Sequence, residues 1–115
     1  DMERLMDAIG AISQGKVRFV ILSPIRHENL GAPWPDPADH NARLAAYTTV
    51  LRELAASRNA HFIDLFQSVV GEGKASRPLT QNGIHLNESG YRKAAEAIER
   101  GLGWKPVRYS RQEQE

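Results

Sequence analysis

The chain reads LTQNGIHLNESGY at residues 79–91, a stretch in which a loop ends, a histidine is presented and a helix begins. Asn87 is a suitable N-cap residue, because its side-chain oxygen can accept a hydrogen bond from a free N–H of the first helical turn. His85 is therefore held directly before a helix, where a base or a ligand would be displayed. The alternative interpretation is a histidine that only closes the loop. Helical spacing predicts a buried apolar stripe on this last helix, made of Tyr91, Ala94, Ala95, Ile98 and Leu102.

Composition excludes several classes of function. The chain has 115 residues, enough for one domain, and its 41% hydrophobic and 25% charged residues are ordinary for a globular protein. The net charge of +1 offers no electrostatic argument for binding nucleic acid or an anionic membrane surface. No apolar run is long enough for a membrane span. Because the chain has no cysteine, disulfides, thiolate nucleophiles and cysteine-based metal sites are excluded. The cellular compartment stays open, and an extracytoplasmic one is compatible with the sequence.

Helical and strand patterns alternate along the chain. We expect, in order, a helix over 2–14, a strand over 16–23, a helix over 39–58, a strand over 60–65, a helical turn over 66–70 and a last helix over 88–102. This order predicts an α/β fold with parallel strands between helices. Residues 1–103 would belong to a single domain, and residues 104–115 would form a polar C-terminal tail or linker.

The predicted helices outnumber the strands that they would cover. Residues 16–23 are nearly continuous in apolar character and rich in β-branched side chains, which suits a strand buried on both faces. Two strands would nevertheless make a very small sheet with open edges, and amphipathic helices over it would leave apolar surface uncovered. The stripes expected to be buried are Met2, Leu5, Ile9 and Ile12 on the first helix, and Leu44, Tyr47, Val50, Leu51 and Leu54 on the second. The pattern therefore predicts the C-terminal part of a larger sheet.

A long proline-rich loop over 24–39 follows the first strand. Its prolines remove backbone donors and fix φ, so neither a helix nor a central strand fits this segment. Loops of this length are often functional, and Arg26, His27 and Trp34 are candidates for the wall of a substrate pocket. The alternative is a solvated loop with one aromatic anchor.

Three segments resemble the SGNH hydrolases, also called GDSL-type esterases and lipases. They are VILSP at residues 20–24, AHFIDLF at 60–66 and, above all, NGIHLNESGY at 82–91. The resemblance covers residues 1 to about 103 and corresponds to the C-terminal half of that fold. It implies a partial flavodoxin-like, three-layer α/β/α sandwich of about five parallel strands, from which the N-terminal strands are missing in this chain.

The resemblance assigns a role to His85. It matches the family's catalytic histidine, which takes the proton of a serine nucleophile and returns it to the leaving alcohol. The serine and the oxyanion-hole glycine and asparagine belong to N-terminal blocks that have no counterpart in this sequence. Ser23 lies at a strand end, but Pro24 follows it and a Gly-x-Ser-x-Gly elbow is absent, which argues against Ser23 as the nucleophile.

An amide stands where the family carries an aspartate. Asn82 precedes His85 by three positions, where the aspartate of the family orients the imidazole and stabilises the imidazolium. Asn82 can accept a hydrogen bond but carries no charge, and the neighbouring Gln81 has the same limit. Glu28 or Asp64 could supply the charge instead, although Asp64, at a strand end, is better explained by a structural role.

The sequence supports two functions of different classes. The first is the C-terminal segment of a serine ester hydrolase that supplies the catalytic His85 and acts on small acyl or acetyl esters, carbohydrate esters included. Its partner would be the upstream N-terminal half of the same domain. The second is a non-catalytic SGNH-like α/β binding domain, which the amide at Asn82 favours.

A metal site is a third possibility, with the histidines as ligands. Their spacing in the sequence contains no ligand pair of the kind that metal sites use; the residues are His27, His40, His61 and His85. We therefore expect neither a metal nor a cofactor.

Overall fold

Helices and strands alternate in the order that the sequence predicts. The computed structural model describes residues 1–71 and 77–104, so part of the predicted loop over 71–78 and nearly all of the predicted tail lie outside the described residues. The elements are α1 (Met2–Ile12), β1 (Val20–Leu22), α2 (Ala38–Ser57), β2 (His61–Ile63), α3 (Leu65–Ser68) and α4 (Glu88–Gly101). None of the helices within these ranges has the length and apolar character that a membrane span requires.

The two strands pair in parallel and are shorter than predicted. Three residues of each strand lie opposite one another, in the register Val20–His61, Ile21–Phe62 and Leu22–Ile63. Outside this ladder, His61 N–H donates to Phe19 O and Ser23 N–H donates to Ile63 O, each at 3.0 Å. The predicted spans 16–23 and 60–65 are too long because pairing, not apolar character, sets the ends of a strand. Parallel pairing places the residues that follow the strands, Ser23 and Asp64, at the same edge of the sheet.

The core is divided into two clusters, one on each face of the sheet. Successive residues of a strand point to opposite faces, so Phe62 packs on one cluster and Ile63 belongs to the other. The cluster beneath α1 and α2 contains Met6, Ile21, Leu51 and Ala55. The cluster beneath α3 and α4 contains Ile63, Leu65, Val69, Leu79, Ala94 and Ala97. The described residues therefore form helix, sheet and helix layers.

The first strand is buried on one face only, so the prediction of a strand buried on both faces is wrong for this chain. Ile21 is 7% exposed, whereas Val20 and Leu22 are 46% and 42% exposed. The reason is that α4 packs on β2, and the described residues place no helix over the same face of β1. The face of β1 that bears Val20 and Leu22 is uncovered.

Several of the predicted helical stripes are exposed as well. On α1 the buried residue is Met6, while the expected Met2, Leu5, Ile9 and Ile12 are exposed. On α2, Leu51 is buried and Leu44 and Leu54 are half-buried, but Tyr47 and Val50 are exposed. On α4, Tyr91 and Ala95 are exposed, and the buried face consists of Gly90, Ala94 and Ala97. An apolar helix face needs a packing partner, and a two-stranded sheet is too narrow to reach all of these side chains.

Candidate active site

The segment that presents His85, residues 79–87, is closed on itself by backbone hydrogen bonds and is called the His85 loop below. Gln81 N–H donates to His85 O, and Asn87 N–H donates to Leu79 O, both at 2.9 Å. These bonds make the loop a tight hairpin that ends where α4 begins. His85 is exposed at this position.

Asn87 fastens the His85 loop to α4, which confirms the predicted N-cap. Its Oδ1 accepts from Gly90 N–H at 2.9 Å, and its Nδ2 donates to Pro78 O at 2.7 Å. Gly90 permits a close approach here, because a Cβ atom at this position would lie 2.1 Å from Leu79 O. The cap and this contact hold the start of α4 directly against the loop.

Glu28 clamps the His85 loop to the proline-rich loop. Its Oε1 accepts from Thr80 N–H at 3.0 Å and from Thr80 Oγ1 at 2.6 Å, and its Oε2 accepts from Leu79 N–H at 2.9 Å. In return, Glu28 N–H donates to Gly83 O at 2.8 Å. The carboxylate is committed to Leu79 and Thr80, so the expectation that Glu28 could supply the missing charge to His85 is wrong. Glu28 positions the loop instead.

Gly83 lies at the contact between the two loops. Its φ of 95° is in the left-handed region that favours glycine. A Cβ atom here would lie 2.8 Å from His27 Nε2 and 3.2 Å from Glu28 O. The His27 ring therefore packs directly against the peptide at Gly83, two residues before His85.

The Asn82 side chain contacts both the backbone and the ring of His85. Its Oδ1 accepts from Ile84 N–H at 3.2 Å and from His85 N–H at 2.9 Å. From His85 Nδ1, the Asn82 Nδ2 lies at 2.9 Å and the Asn82 Oδ1 at 3.2 Å. The amide thus occupies the place in which a triad carboxylate would orient the imidazole.

Ser23 and Asp64, which follow the two strands, both have structural partners. Ser23 is 4% exposed, and its hydroxyl donates to Pro24 O at 3.1 Å and accepts from Phe66 N–H at 2.9 Å. Asp64 caps α3 by accepting from Gln67 N–H at 2.9 Å, and its other oxygen pairs with Arg52 at 2.7 Å. Ser23 is therefore buried with both a donor and an acceptor partner for its hydroxyl, and both carboxylate oxygens of Asp64 are engaged by α3 and Arg52.

The three predicted pocket residues do not share one site. Arg26 and His27 line a cavity of about 680 Å³ between the proline-rich loop and residues 69–71 and 77–80. Trp34 is exposed and does not line this cavity, and neither does His85. The Arg26 guanidinium lies 4.4 Å from the centre of the Phe66 ring, and its Nε donates to Phe66 O at 3.3 Å. A substrate-binding role for Arg26, His27 and Trp34 stays a prediction.

The histidines of the sequence are only partly brought together. His27 Nδ1 lies 3.0 Å from His40 Nδ1, with the two rings edge to face. His61 Nε2 instead bonds to Gly101 O at the end of α4. Among residues 1–71 and 77–104, no three His, Cys, Asp or Glu side chains are placed to hold a metal ion.

Sequence reasoning missed Thr80 and Asn41, which join distant segments. The Thr80 hydroxyl donates to Glu28 and accepts from Gly83 N–H at 2.9 Å. Asn41, on α2, accepts from His27 N–H and donates to His27 O, each at 2.8 Å. Both residues look like ordinary loop or helix-surface positions in the sequence. The residues that they join to, Glu28 and His27, are distant from them along the chain.

The described residues form part of an α/β architecture with parallel strands, in which an exposed histidine directly precedes the last helix. The model of the GDSL-like Lipase/Acylhydrolase family matches residues 1–93, and the chain belongs to that family. The predicted family and the predicted α/β class with parallel strands are thereby confirmed. No curated protein is significantly similar to the chain in sequence.

Solved structures show the same fold at low sequence identity. A catalytic mutant of Axe2, an acetylxylan esterase from Geobacillus stearothermophilus, matches with a TM-score of 0.63 and 19% identity, over 94% of this chain and 48% of that chain. A GDSL-like lipase from Bacteroides thetaiotaomicron matches with a TM-score of 0.55 and 21% identity, over 85% of this chain and 49% of that chain. The chain therefore spans about half the length of the structures that it resembles.

Proposed function

We propose that this chain is the C-terminal segment of a serine ester hydrolase and supplies its catalytic histidine, His85. The observation that carries the proposal is an exposed histidine on a braced loop directly before α4, oriented through Nδ1 by a residue three positions upstream. Membership of the GDSL-like acylhydrolase family supports the same reaction. In the reaction, His85 Nε2 takes the proton of a serine hydroxyl as that oxygen attacks the ester carbonyl. The proton then passes to the alcohol oxygen as the bond from carbonyl carbon to alcohol breaks.

The serine and the oxyanion hole would come from the upstream N-terminal half of the same domain. The uncovered face of β1, with Val20 and Leu22, and the exposed apolar face of α1 support such a partner. The outer edge of β1 is also unpaired among the described residues, where a further parallel strand could add. We therefore expect residues 1–103 to form one domain together with that half, and residues 104–115 to follow it as a tail. The 115-residue chain alone should show no turnover, because it lacks the nucleophile and the oxyanion hole.

The substrate class follows by analogy with the structural neighbours. One of them is an acetylxylan esterase, which supports a small acyl or acetyl ester on a carbohydrate as the substrate. The cavity beside Arg26 and His27 offers cationic and polar groups that could bind sugar hydroxyls or a carbonyl. Neither a metal nor a cofactor is needed for this chemistry.

The test is the hydrolysis of a short-chain aryl ester by the full-length protein and its His85→Ala variant. We expect kcat/KM to fall by about 10²-fold or more, which is less than in a complete triad because an amide stands at the acid position. His61→Ala is the matched control, since His61 bonds to the far end of α4, about 20 Å along the helix from its first turn. Activity that survives His85→Ala would refute the assignment.

The second candidate function is a binding domain without catalysis. The observation that favours it is the amide of Asn82 at the acid position beside His85. An inactive full-length protein that still binds an acetylated oligosaccharide would select this function over the first.

A further inference from the structure

The orientation of the Asn82 amide is set by the backbone and not by the histidine ring. Its Oδ1 accepts from two main-chain donors, Ile84 N–H at 3.2 Å and His85 N–H at 2.9 Å. Rotating the amide by half a turn would place its NH₂ group against both donors and lose both hydrogen bonds. An amide oxygen and nitrogen are distinguished by the network around them, and here two N–H groups require the oxygen.

This orientation turns the amide nitrogen toward the imidazole. Asn82 Nδ2 lies 2.9 Å from His85 Nδ1, closer than Oδ1 at 3.2 Å. The two lone pairs of Oδ1 are already used by the backbone donors, whereas the NH₂ group has hydrogens to donate. A hydrogen bond from Nδ2 to Nδ1 requires an Nδ1 that carries no proton. In a neutral imidazole the proton is then on Nε2.

We infer that Asn82 is a positioning residue that holds the neutral His85 ring as the Nε2–H tautomer. The inference rests on the proposed function and deepens it, because a general base must offer the Nε2 lone pair to the serine hydroxyl. In the resting tautomer that lone pair is absent, and His85 presents a donor to the substrate. The base becomes available only after Nε2 loses its proton to water and Nδ1 gains one, which breaks the hydrogen bond from Asn82 Nδ2 to Nδ1.

A carboxylate at position 82 would select the other tautomer. The substitution Asn82→Asp keeps an oxygen for the N–H groups of Ile84 and His85, so the loop contacts survive the change. The second carboxylate oxygen can only accept from Nδ1–H, which leaves the lone pair on Nε2. Asparagine in place of a triad aspartate lowers kcat by about 10⁴-fold through the wrong tautomer, so the reverse change should raise it.

The direct test is ¹⁵N NMR of the full-length protein with ¹⁵N-labelled histidine, at a pH at which the imidazole is neutral. We expect the His85 signals of the wild type to show a protonated Nε2 and an unprotonated Nδ1, and those of Asn82→Asp to show the reverse. The His85 resonances are assigned with His85→Gln. Asn59→Asp serves as the matched control, because Asn59 is an exposed residue at the end of α2. Intact mass must confirm that the Asn82-Gly83 pair has not deamidated.

Activity supplies the second readout. Asn82→Asp should raise kcat/KM on a short-chain aryl ester by about 10²- to 10⁴-fold, while Asn59→Asp leaves it unchanged. The inference is overturned if His85 of the wild type is protonated on Nδ1. It is also overturned if the wild type hydrolyses the ester and Asn82→Asp changes the tautomer without raising kcat/KM. If the tautomers are as expected and neither protein hydrolyses esters, the tautomer assignment stands and the proposed hydrolase function fails.

Discussion

Replacing Glu28 with glutamine tests whether this carboxylate holds the His85 loop in place. The substitution keeps the size of the side chain and one carbonyl oxygen, which can still accept from Thr80 N–H and the Thr80 hydroxyl. The other position becomes an NH₂ group, which would face Leu79 N–H where Oε2 now accepts at 2.9 Å. Two donors then meet, and Leu79 N–H keeps only its longer hydrogen bond, to Oε1 at 3.2 Å.

The expected loss of stability can be worked out from these contacts. Losing the shorter of the two Leu79 hydrogen bonds costs about 0.5–1.5 kcal/mol, and a hydrogen bond to a charged acceptor is about 1 kcal/mol stronger than a neutral one. Together these give about 1.5–2.5 kcal/mol. We expect the lower end, about 1.5 kcal/mol, because Glu28 is half-buried and water can reach part of the site. With a urea m value of about 2 kcal/mol/M, the midpoint of unfolding should fall by about 0.7 M.

The assay is urea unfolding of the full-length protein, followed by amide hydrogen exchange. Glu53→Gln is the control, because it makes the same chemical change on the exposed surface of α2 and should alter the free energy of unfolding by less than about 0.5 kcal/mol. Exchange should accelerate at Leu79 and Thr80 in Glu28→Gln and not in the control. If Glu28→Gln is as stable as Glu53→Gln, the clamp contributes nothing and the reasoning is refuted.

Two further substitutions test how the loop is joined to α4. Asn87→Ala removes the N-cap and the bond to Pro78 O, so the free energy of unfolding should fall by about 1–2 kcal/mol in a denaturant titration; an unchanged midpoint would contradict the capping role. Gly90→Ala places a Cβ atom 2.1 Å from Leu79 O. It should lower the free energy of unfolding by several kcal/mol, which is measured as a sharp fall in the melting temperature. Gly10→Ala, at a helix position with open space, should instead stabilise the protein by about 0.5–1 kcal/mol, and equal effects of the two changes would disprove the steric argument.

The local features of the candidate site could be predicted from the sequence. The N-cap at Asn87 depends on residues within one helical turn, and the spacing from Asn82 to His85 brings both side chains to one tight loop. The alternation of helices and strands follows in the same way from the period of the apolar residues. These properties are encoded by neighbours in the chain, so a pattern of a few residues is enough to reveal them.

The bracing of the site could not be predicted, because it depends on contacts between distant segments. The sequence offers Glu28 as a possible charge for His85, yet the fold brings it to Leu79 and Thr80, 51 and 52 residues away. The predicted burial of the helical stripes is wrong for a related reason. Whether an apolar side chain is buried depends on what packs over it, and spacing along one helix contains no information about that partner.

The sequence by itself therefore determined the α/β class, the family resemblance and the display of His85 before a capped helix, since each rests on local periodicity and short motifs. The tertiary structure decided that Glu28 braces the loop, that Ser23 is buried and that the Asn82 amide turns its nitrogen toward His85 Nδ1. The physical reason is that hydrogen-bond direction and burial are set in three dimensions. An asparagine in the sequence can donate or accept, and only its two backbone partners determine which it does toward the histidine.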